Sequence, residues 1–342
     1  MNQPVRFAVI GIGRVGISHV KGILNSPEQM ELAGVVEQNR SLADKIAEEY
    51  NTKAFYSLEE ALVDESIDVF IVALPQHLHF SVGLQILNAK RHAIIEKPLG
   101  LDLKEVKGLI QAAENNGVYV MSAQSRRFYP AIQEVKAMMP RIDGPTNMLY
   151  NFACIFNEKT APAWWRKEET SGGLVLGMLG SHTIDLTLWM NEGKKPVRVF
   201  AESRNINDVF EGDDASTVII TFDDGTMATN YLSICNSPYR HECLIEGRTG
   251  SIYFKHEGDH VGVIGVSDTL VFLNGEKTEV KEDPDCFTLQ AREMASAIIE
   301  KRQPSTSGQN VWNTYLVLEA AKESARTHTS IVLEDFAAGY KY

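Results

Sequence analysis

A chain of 342 residues with 44% hydrophobic content carries enough apolar material for two cored domains, and its composition is not that of a disordered chain. Its 33 basic and 45 acidic residues give a net charge of −12 with histidine neutral, and without a long Lys/Arg block this disfavours a nucleic-acid partner. Cys154, Cys235, Cys243 and Cys286 are widely spaced and form no CxxC pair, which excludes a zinc ribbon and a disulfide scaffold.

The first strand pattern, Val5 to Ile10, begins too early to leave room for a signal peptide. No apolar run approaches the roughly 18 residues of a membrane span, so a cytoplasmic protein with no membrane partner is expected. The strand breaks at Gly11, and Arg14 to Leu24 has helical apolar spacing. In Gly11-Ile12-Gly13-Arg14-Val15-Gly16 the first glycine allows a tight turn, the second lets backbone N–H groups approach a pyrophosphate, and the third lets the helix pack on the strand. Glu37 ends the next apolar run, Leu32 to Val36, about 20 residues on, where an acid can bind ribose hydroxyls. The combination predicts dinucleotide binding.

Strand and helix patterns then alternate. Ser41 opens a helix pattern through Glu49, and Ser57 with Glu60 makes a capping box. Asp68 to Leu74 is a near-continuous apolar run, the mark of a strand covered on both faces. A helix follows from Leu78 to Ala89, then a strand from His92 to Glu96. Asp102 with Glu105 makes a second capping box for a helix ending at Gly117, and Val118 to Ser122 is one more strand. This alternation predicts a doubly wound parallel sheet, the Rossmann arrangement, over residues 1–124.

From residue 125 the style changes to a short helix and longer strands with antiparallel character: Met148–Phe156, Val197–Ser203, Ala215–Phe222 and Thr226–Ile234. Asp224-Gly225 signals a hairpin. Further strands are expected at Glu242–Glu246, Ser251–Phe254, Val261–Val266 and Thr269–Leu273. Helices are expected at Gly172–Met190, Phe287–Lys301 and Asn310–Arg326. Residues 125–342 therefore read as an α+β domain with a large, mostly antiparallel open sheet. The uncovered face of such a sheet suits another subunit, so a homodimer or homotetramer is expected.

Ligands of an open α/β sheet bind at the carboxyl ends of the strands. The tips there read Pro75-Gln76-His77-Leu78-His79, Glu96-Lys97-Pro98-Leu99-Gly100, and Ser122 to Phe128. Lys97 has two readings: a surface ion-pair partner of Glu96, or an amine whose pKa is lowered by burial and which takes the proton of a reacting hydroxyl. His182 and Asp185 lie three apart on one helix face, so Asp185 can orient the imidazole; a core histidine in a helix contact fits the same spacing. Trp164, Trp165 and Arg166 suit a sugar face and an anionic substituent, or interdomain packing and the cofactor. Tyr239 and His241 are further candidates. The nine histidines show no metal-ligand spacing, and no metal is expected.

Together, the glycine turn, Glu96-Lys97-Pro98, Arg126-Arg127-Phe128, Gly172-Gly173 and Gly180-x-His182-x-x-Asp185 resemble the glucose-fructose oxidoreductase and inositol dehydrogenase family. The likeness runs over nearly the whole chain, including Gly247-x-x-Gly250 and the last two helices. It implies NAD- or NADP-dependent oxidation of a ring hydroxyl on a sugar or cyclitol, with Lys97 and His182 in the catalytic centre. It further implies Glu37 at the adenosine ribose, and Leu74, Pro75, Gln76, His79 and Glu96 along the cofactor. Ser125, Trp165, Arg166, Met178 and Tyr239 are the substrate-side candidates.

Two departures stand out. Where many such dehydrogenases carry an Asp four residues before the histidine, this chain has Met178, which cannot accept a proton. Ser125 replaces the usual Asn before Arg126. Either Lys97 and His182 suffice, or another group takes part, or the substrate is unusual. A reductase of a small carbonyl or imine, and a non-catalytic dinucleotide sensor, are the alternative functions. The Glu37 carboxylate favours NAD over NADP, while Arg40 is a phosphate partner or simply a solvated residue at a helix start.

Overall fold

The computed structural model describes residues 3–257, 269–280 and 284–340, with 236–238 as backbone alone. Backbone packing divides the chain into two compact units. The first comprises Met1–Gly100, Lys104–Phe128 and Pro284–Val311; the second comprises Leu101–Leu103, Tyr129–Asp283 and Trp312–Tyr342. No helix among the described residues is long and apolar enough to cross a membrane.

The first unit is built on β1 (Val5–Ile10), β2 (Met30–Val36), β3 (Lys53–Phe55), β4 (Val69–Val72), β5 (His92–Glu96) and β6 (Val120–Ala123), in the order β3-β2-β1-β4-β5-β6. Every pair is parallel. The helices α1 (Arg14–Leu24), α2 (Arg40–Glu49), α3 (Leu58–Leu62), α4 (His79–Asn88) and α5 (Leu103–Asn116) supply the connections. All four residues of β4 are fully buried, as a strand covered on both faces requires. The order reverses between β1 and β4, and the register Ile10↔Val36 and Ile10↔Val72 sets Gly11, Glu37 and Ala73 side by side at the carboxyl edge. Local chemistry starts the helices: Asn39 caps α2 two residues before the expected Ser41, and Ser57 Oγ caps α3 by accepting the Glu60 N–H. The Glu60 carboxylate reaches back to the N–H of Tyr56 rather than that of Ser57.

The second unit holds β7 (Asn147–Ile155), β8 (Pro196–Arg204), β9 (Ala215–Phe222), β10 (Met227–Ser233), β11 (Cys235–Glu246), β12 (Ser251–His256), β13 (Thr269–Leu273), β14 (Glu276–Thr278) and β15 (Ile331–Val332) in one sheet. Its order is β14-β13-β12-β11-β7-β10-β9-β8-β15. The expected strand Val261–Val266 lies outside the described residues. Asp224-Gly225 does turn β9 into β10, with Gly225 at a φ of +87° and the Asp224 carboxylate accepting the Thr226 N–H. The pairing of β7 with β10 is parallel, within an otherwise antiparallel sheet. The helices in chain order are α6 (Pro130–Met138), α7 (Glu168–Ser171), α8 (Ser181–Met190), α9 (Cys286–Glu300, in the first unit), α10 (Trp312–Thr327) and α11 (Leu333–Ala338). Helices α6, α8 and α10 cover one face of the sheet.

Two expectations are corrected. The helix expected over Gly172–Met190 is broken: Gly172 and Gly173 take φ of +62° and +84°, ending α7, and the chain re-enters helix through a wide π turn, Leu176–Gly180. The segment Pro284–Val311, expected with the C-terminal domain, packs in the first unit. Helix α9 lies against α1 so closely that a Cβ on Gly22 would sit 2.8 Å from the Phe287 backbone, and Asn25 binds Asp285 and Thr288. Thr306 then bonds Ser122 through backbone and hydroxyl, covering the edge of β6.

Candidate active site

The glycine loop has the geometry that anion binding needs. Gly11 sits at a φ of +82°, and a Cβ there would lie 2.6 Å from the Ala73 carbonyl oxygen; a Cβ on Gly16 would lie 1.9 Å from the carbonyl oxygen of Gly11. These two glycines are required by packing. At Gly13 a Cβ would meet nothing within 4 Å, so the backbone there faces open space. Gly13 is the N-cap of α1 and no side chain caps it, which leaves the amides of the first turn directed at that space. Around them Ile12 is buried, Val15 half-buried and Arg14 exposed.

At the adenosine end, Glu37 donates its N–H to Phe55 O at 3.0 Å and accepts the Asn39 N–H on Oε1 at 3.0 Å, which holds the carboxylate at the tip of β2. Arg40 is exposed as the first residue of α2, in keeping with the reading of a solvated residue at a helix start. Its guanidinium lies over the Tyr56 ring at 4.2 Å from the centroid, and the Tyr56 hydroxyl donates to Asp44 at 2.7 Å, one turn along α2.

After β4 the chain passes through Leu74 and Pro75 into a 3₁₀ turn, Gln76–Leu78, and on into α4. Gln76 is 3% exposed, and its amide nitrogen has no hydrogen-bond partner among the described residues. The same holds for Gln124, 1% exposed at the end of β6, which the sequence reading does not single out. Buried amides seldom go unpaired, and here two do so at the carboxyl edge where a ligand belongs. His79 is buried behind this edge with both ring nitrogens on protein carbonyls, so it stands behind the wall rather than on it.

The β5 tip carries Glu96 and Lys97. Glu96 Oε1 lies 2.8 Å from Nε2 of His19, a buried residue of α1, and Oε2 accepts the Lys97 backbone N–H at 3.2 Å. Burial alone would raise the Glu96 carboxyl, but the His19 hydrogen bond and the charge of Lys97 hold it below the usual range. Burial pushes the Lys97 ammonium down to about 8, with Glu96 pulling upward and Arg126 pushing further down. A lysine so placed can exchange a proton near neutral pH. His19 gives no sequence signal beyond a polar residue on the inner face of a helix.

Glycine loop, Glu37, Gln76 and Lys97 thus share one edge of one sheet. The open cradle at Gly13, the uncapped helix and the orphaned Gln76 amide fit a dinucleotide.

In the second unit, His182 is half-buried in the first turn of α8, and Met178, 5% exposed, lies one turn before it in the π turn. The turn is anchored from outside: Asp213 accepts the Leu176 N–H on its carboxylate at 3.2 Å and the Val175 N–H on its carbonyl at 3.1 Å. Asp185 is buried and accepts the Thr314 hydroxyl of α10 at 3.0 Å, an anchoring bond within the helix layer. Trp165 packs edge-on against Phe156 and Trp164, and Arg166 pairs with Glu158 at 3.4 Å. The Tyr239 hydroxyl lies 3.2 Å from Nδ1 of His241, whose ring stacks on Phe152 and whose Nε2 meets the Tyr150 hydroxyl. Ser125 begins a 3₁₀ turn, Ser125–Phe128, at the end of the first unit. Among the described residues no group of His, Cys, Asp or Glu is arranged to hold a metal ion.

Residues 5–124 match the oxidoreductase family with an NAD-binding Rossmann fold, and residues 118–253 match the GFO/IDH/MocA C-terminal domain. The chain belongs to the GFO/IDH/MocA family. The first unit is accordingly an NAD-binding Rossmann fold, and the chain is an NAD(P)-dependent oxidoreductase. Among relatives in this family, scyllo-inositol 2-dehydrogenase (NAD(+)) of Bacillus subtilis is 29% identical over 262 residues, 74% of either chain. UDP-N-acetylglucosamine 3-dehydrogenase of Acidithiobacillus ferrooxidans is 28% identical over 283 residues, 79% of this chain and 83% of that one. The crystal structure of a putative NADPH-dependent oxidoreductase from Desulfitobacterium hafniense superposes with a TM-score of 0.87 at 19% identity, covering 98% of this chain and 99% of that one.

Proposed function

We propose that this GFO/IDH/MocA protein oxidises, reversibly, a secondary ring hydroxyl of a sugar, sugar derivative or cyclitol, with NAD as the hydride acceptor. The observation that carries the reading is Lys97: a lysine at the carboxyl tip of β5, pushed down to about 8 by burial, in an NAD-binding fold. When bound, the nicotinamide supplies the hydride acceptance. The amides of Gly13 to Gly16 hold the pyrophosphate and Glu37 accepts the ribose hydroxyls. Lys97 Nζ takes the hydroxyl proton as the carbon gives up its hydride, and returns it in the reverse direction. His182 is assigned as the second proton-transfer or alkoxide-stabilising group, since Met178 can do neither. The relatives named for an inositol and for a nucleotide sugar support a ring polyol as the substrate class.

Two features favour NAD over NADP. The Glu37 carboxylate repels a 2′-phosphate, and Arg40 is engaged on Tyr56. Four cysteines without a disulfide suit a reducing, cytoplasmic location. The uncovered sheet face of the second unit is the surface we assign to a homodimer or homotetramer.

The test is a panel of sugars and cyclitols with NAD and with NADP, followed by absorbance of the reduced cofactor, together with Lys97→Ala. Turnover with NAD and a loss of about 10²- to 10⁴-fold in the variant, NAD binding retained, is the expected result. Near-normal turnover in the variant removes Lys97 from the chemistry. Met178 favours a second reading, a dinucleotide sensor, which would bind NAD and turn over nothing in the panel.

A further inference from the structure

His79 opens α4 and is 1% exposed. Its Nδ1 lies 2.7 Å from the carbonyl oxygen of Pro98, and its Nε2 lies 2.9 Å from the carbonyl oxygen of Leu74. These acceptors belong to two different strand tips: Leu74 follows β4, and Pro98 follows Lys97 at the end of β5. A carbonyl oxygen only accepts, so each bond needs an N–H on the ring. The imidazolium makes both bonds at once, and the neutral ring keeps one of them.

Burial lowers the imidazole below its ordinary range, while the two carbonyls and the Glu96 carboxylate pull it upward and the Lys97 ammonium opposes them. The charged groups around the ring are therefore Glu96 and Lys97 on the neighbouring tip, with His19 bound to Glu96 and Arg126 acting on Lys97. In this cluster His79 is the side chain that spans from one tip to the other. Its ring is too deep to meet a dinucleotide, and both of its nitrogens face carbonyls of the scaffold.

We propose that His79 is a positioning residue for Lys97: one buried imidazole ties the Lys97–Pro98 tip to the Leu74 tip, fixing the ammonium relative to the wall along which the cofactor lies. The proposal rests on the reading of Lys97 as the proton-transfer group. A misplacement of about 1 Å at such a group costs on the order of 10²-fold in rate, so a single tie at this depth matters.

Asparagine and glutamine dissect the tie, because the Asn amide nitrogen falls where Nδ1 stood and the Gln amide nitrogen where Nε2 stood. His79→Asn keeps a donor on the Pro98 carbonyl and removes the group facing Leu74; His79→Gln does the reverse; His79→Phe leaves neither carbonyl a partner. With the full chain, NAD affinity is measured without substrate by calorimetry, and kcat is measured across pH. The neutral ring makes one bond, the shorter one to Pro98 at 2.7 Å, so His79→Asn, which keeps that donor, is expected to retain NAD affinity and the pH limb near 8, with kcat within about 3-fold of the parent. Expected for His79→Gln is NAD affinity preserved, kcat lower by about 10-fold or more, and the limb moved upward as Lys97 gains solvent. His79→Phe should show at least the kcat loss of His79→Gln.

Equal losses in all three variants with an unmoved pH limb would make His79 merely structural and overturn the proposal, as would three variants indistinguishable from the parent. Should the variants fail to fold, nitrogen NMR of the unsubstituted protein decides: a hydrogen-bond coupling from His79 Nδ1 to the Pro98 carbonyl is expected, and its absence overturns the tie. If Lys97→Ala keeps its turnover, the Lys97 reading fails separately, and the coupling from His79 to the Pro98 carbonyl still decides whether the tie exists.

Discussion

Glu96 and the buried His19 meet at 2.8 Å beneath the tip that presents Lys97. A carboxylate accepts, so the imidazole donates from Nε2, and the negative charge of Glu96 is held where it pulls the Lys97 pKa upward against burial. Glu96→Gln removes that charge at nearly constant volume. The Lys97 limb of the rate-pH profile should then move below its position near 8, by roughly 1 unit or more. A limb that stays in place or moves upward would show that Glu96 does not set the charge state of Lys97.

The glycine loop offers a separation of folding from binding. A Cβ at Gly16 collides with the Gly11 carbonyl, whereas one at Gly13 meets nothing within 4 Å. Gly13→Ala should therefore leave the thermal midpoint near that of the parent while weakening NAD by about 10-fold or more, because the new methyl occupies the space the pyrophosphate needs. Gly16→Ala should lower the midpoint as well. Normal NAD affinity in Gly13→Ala would put the pyrophosphate elsewhere.

Asp213 holds the turn ahead of His182 at an electrostatic cost. Burial pushes its carboxyl from an ordinary 3.8 up to about 6, against the Leu176 N–H and the charge of Lys322. The neutral acid is the form the fold prefers. Its contribution to stability is thus present below the unfolded value and is lost as pH rises through about 6. Asn keeps an acceptor for Leu176 and carries no charge, so Asp213→Asn should be more stable than the parent at pH 8, by on the order of 3 kcal/mol, and level with it near pH 4. Denaturant unfolding at the two pH values checks this. A variant equally destabilised at both would mean that the carboxylate, charged, is what the turn requires.

The parts of the fold legible in the sequence are those with local causes. The Val5–Ile10 strand, the glycine turn and the buried run ending at Leu74 announce themselves through β-branched residues and glycine spacing, and Asp224-Gly225 marks its own hairpin. The parallel pairing of β7 with β10 does not, because alternation along a strand is the same whichever way its neighbour runs. Helix α9 reads as a helix, yet its partner α1 lies more than 250 residues away in the chain, and only the small face at Gly22 receives it. The π turn before α8 depends on the φ of Gly172 and Gly173, which spacing alone leaves open. In the site, Lys97 and Glu37 follow from strand-tip position, whereas His19 and Gln124 stand among other polar residues of the sequence, and only burial sets them apart.

The face of the nine-stranded sheet away from α6, α8 and α10 leads to a test of assembly. Leu149 is 52% exposed, Met227 50% and Ile219 36%, all pointing out of adjacent central strands. Beside them a shallow groove of about 730 Å³ is lined by Leu149, Asn151, Tyr231, Glu242, Leu244 and Tyr253. Its polar groups are already organised, with the Tyr253 hydroxyl donating to Glu242 at 2.6 Å. Apolar side chains in contiguous central strands are a poor surface for water and a good one for a second copy of the same face. The protein should therefore run as a dimer or tetramer in light scattering at micromolar concentration. Leu149→Glu combined with Ile219→Glu should weaken association at least about 10-fold, since two charges would be buried against an apolar partner face. A parent protein that is monomeric at tens of micromolar, or a double variant that assembles as tightly as the parent, would leave this face to some other role.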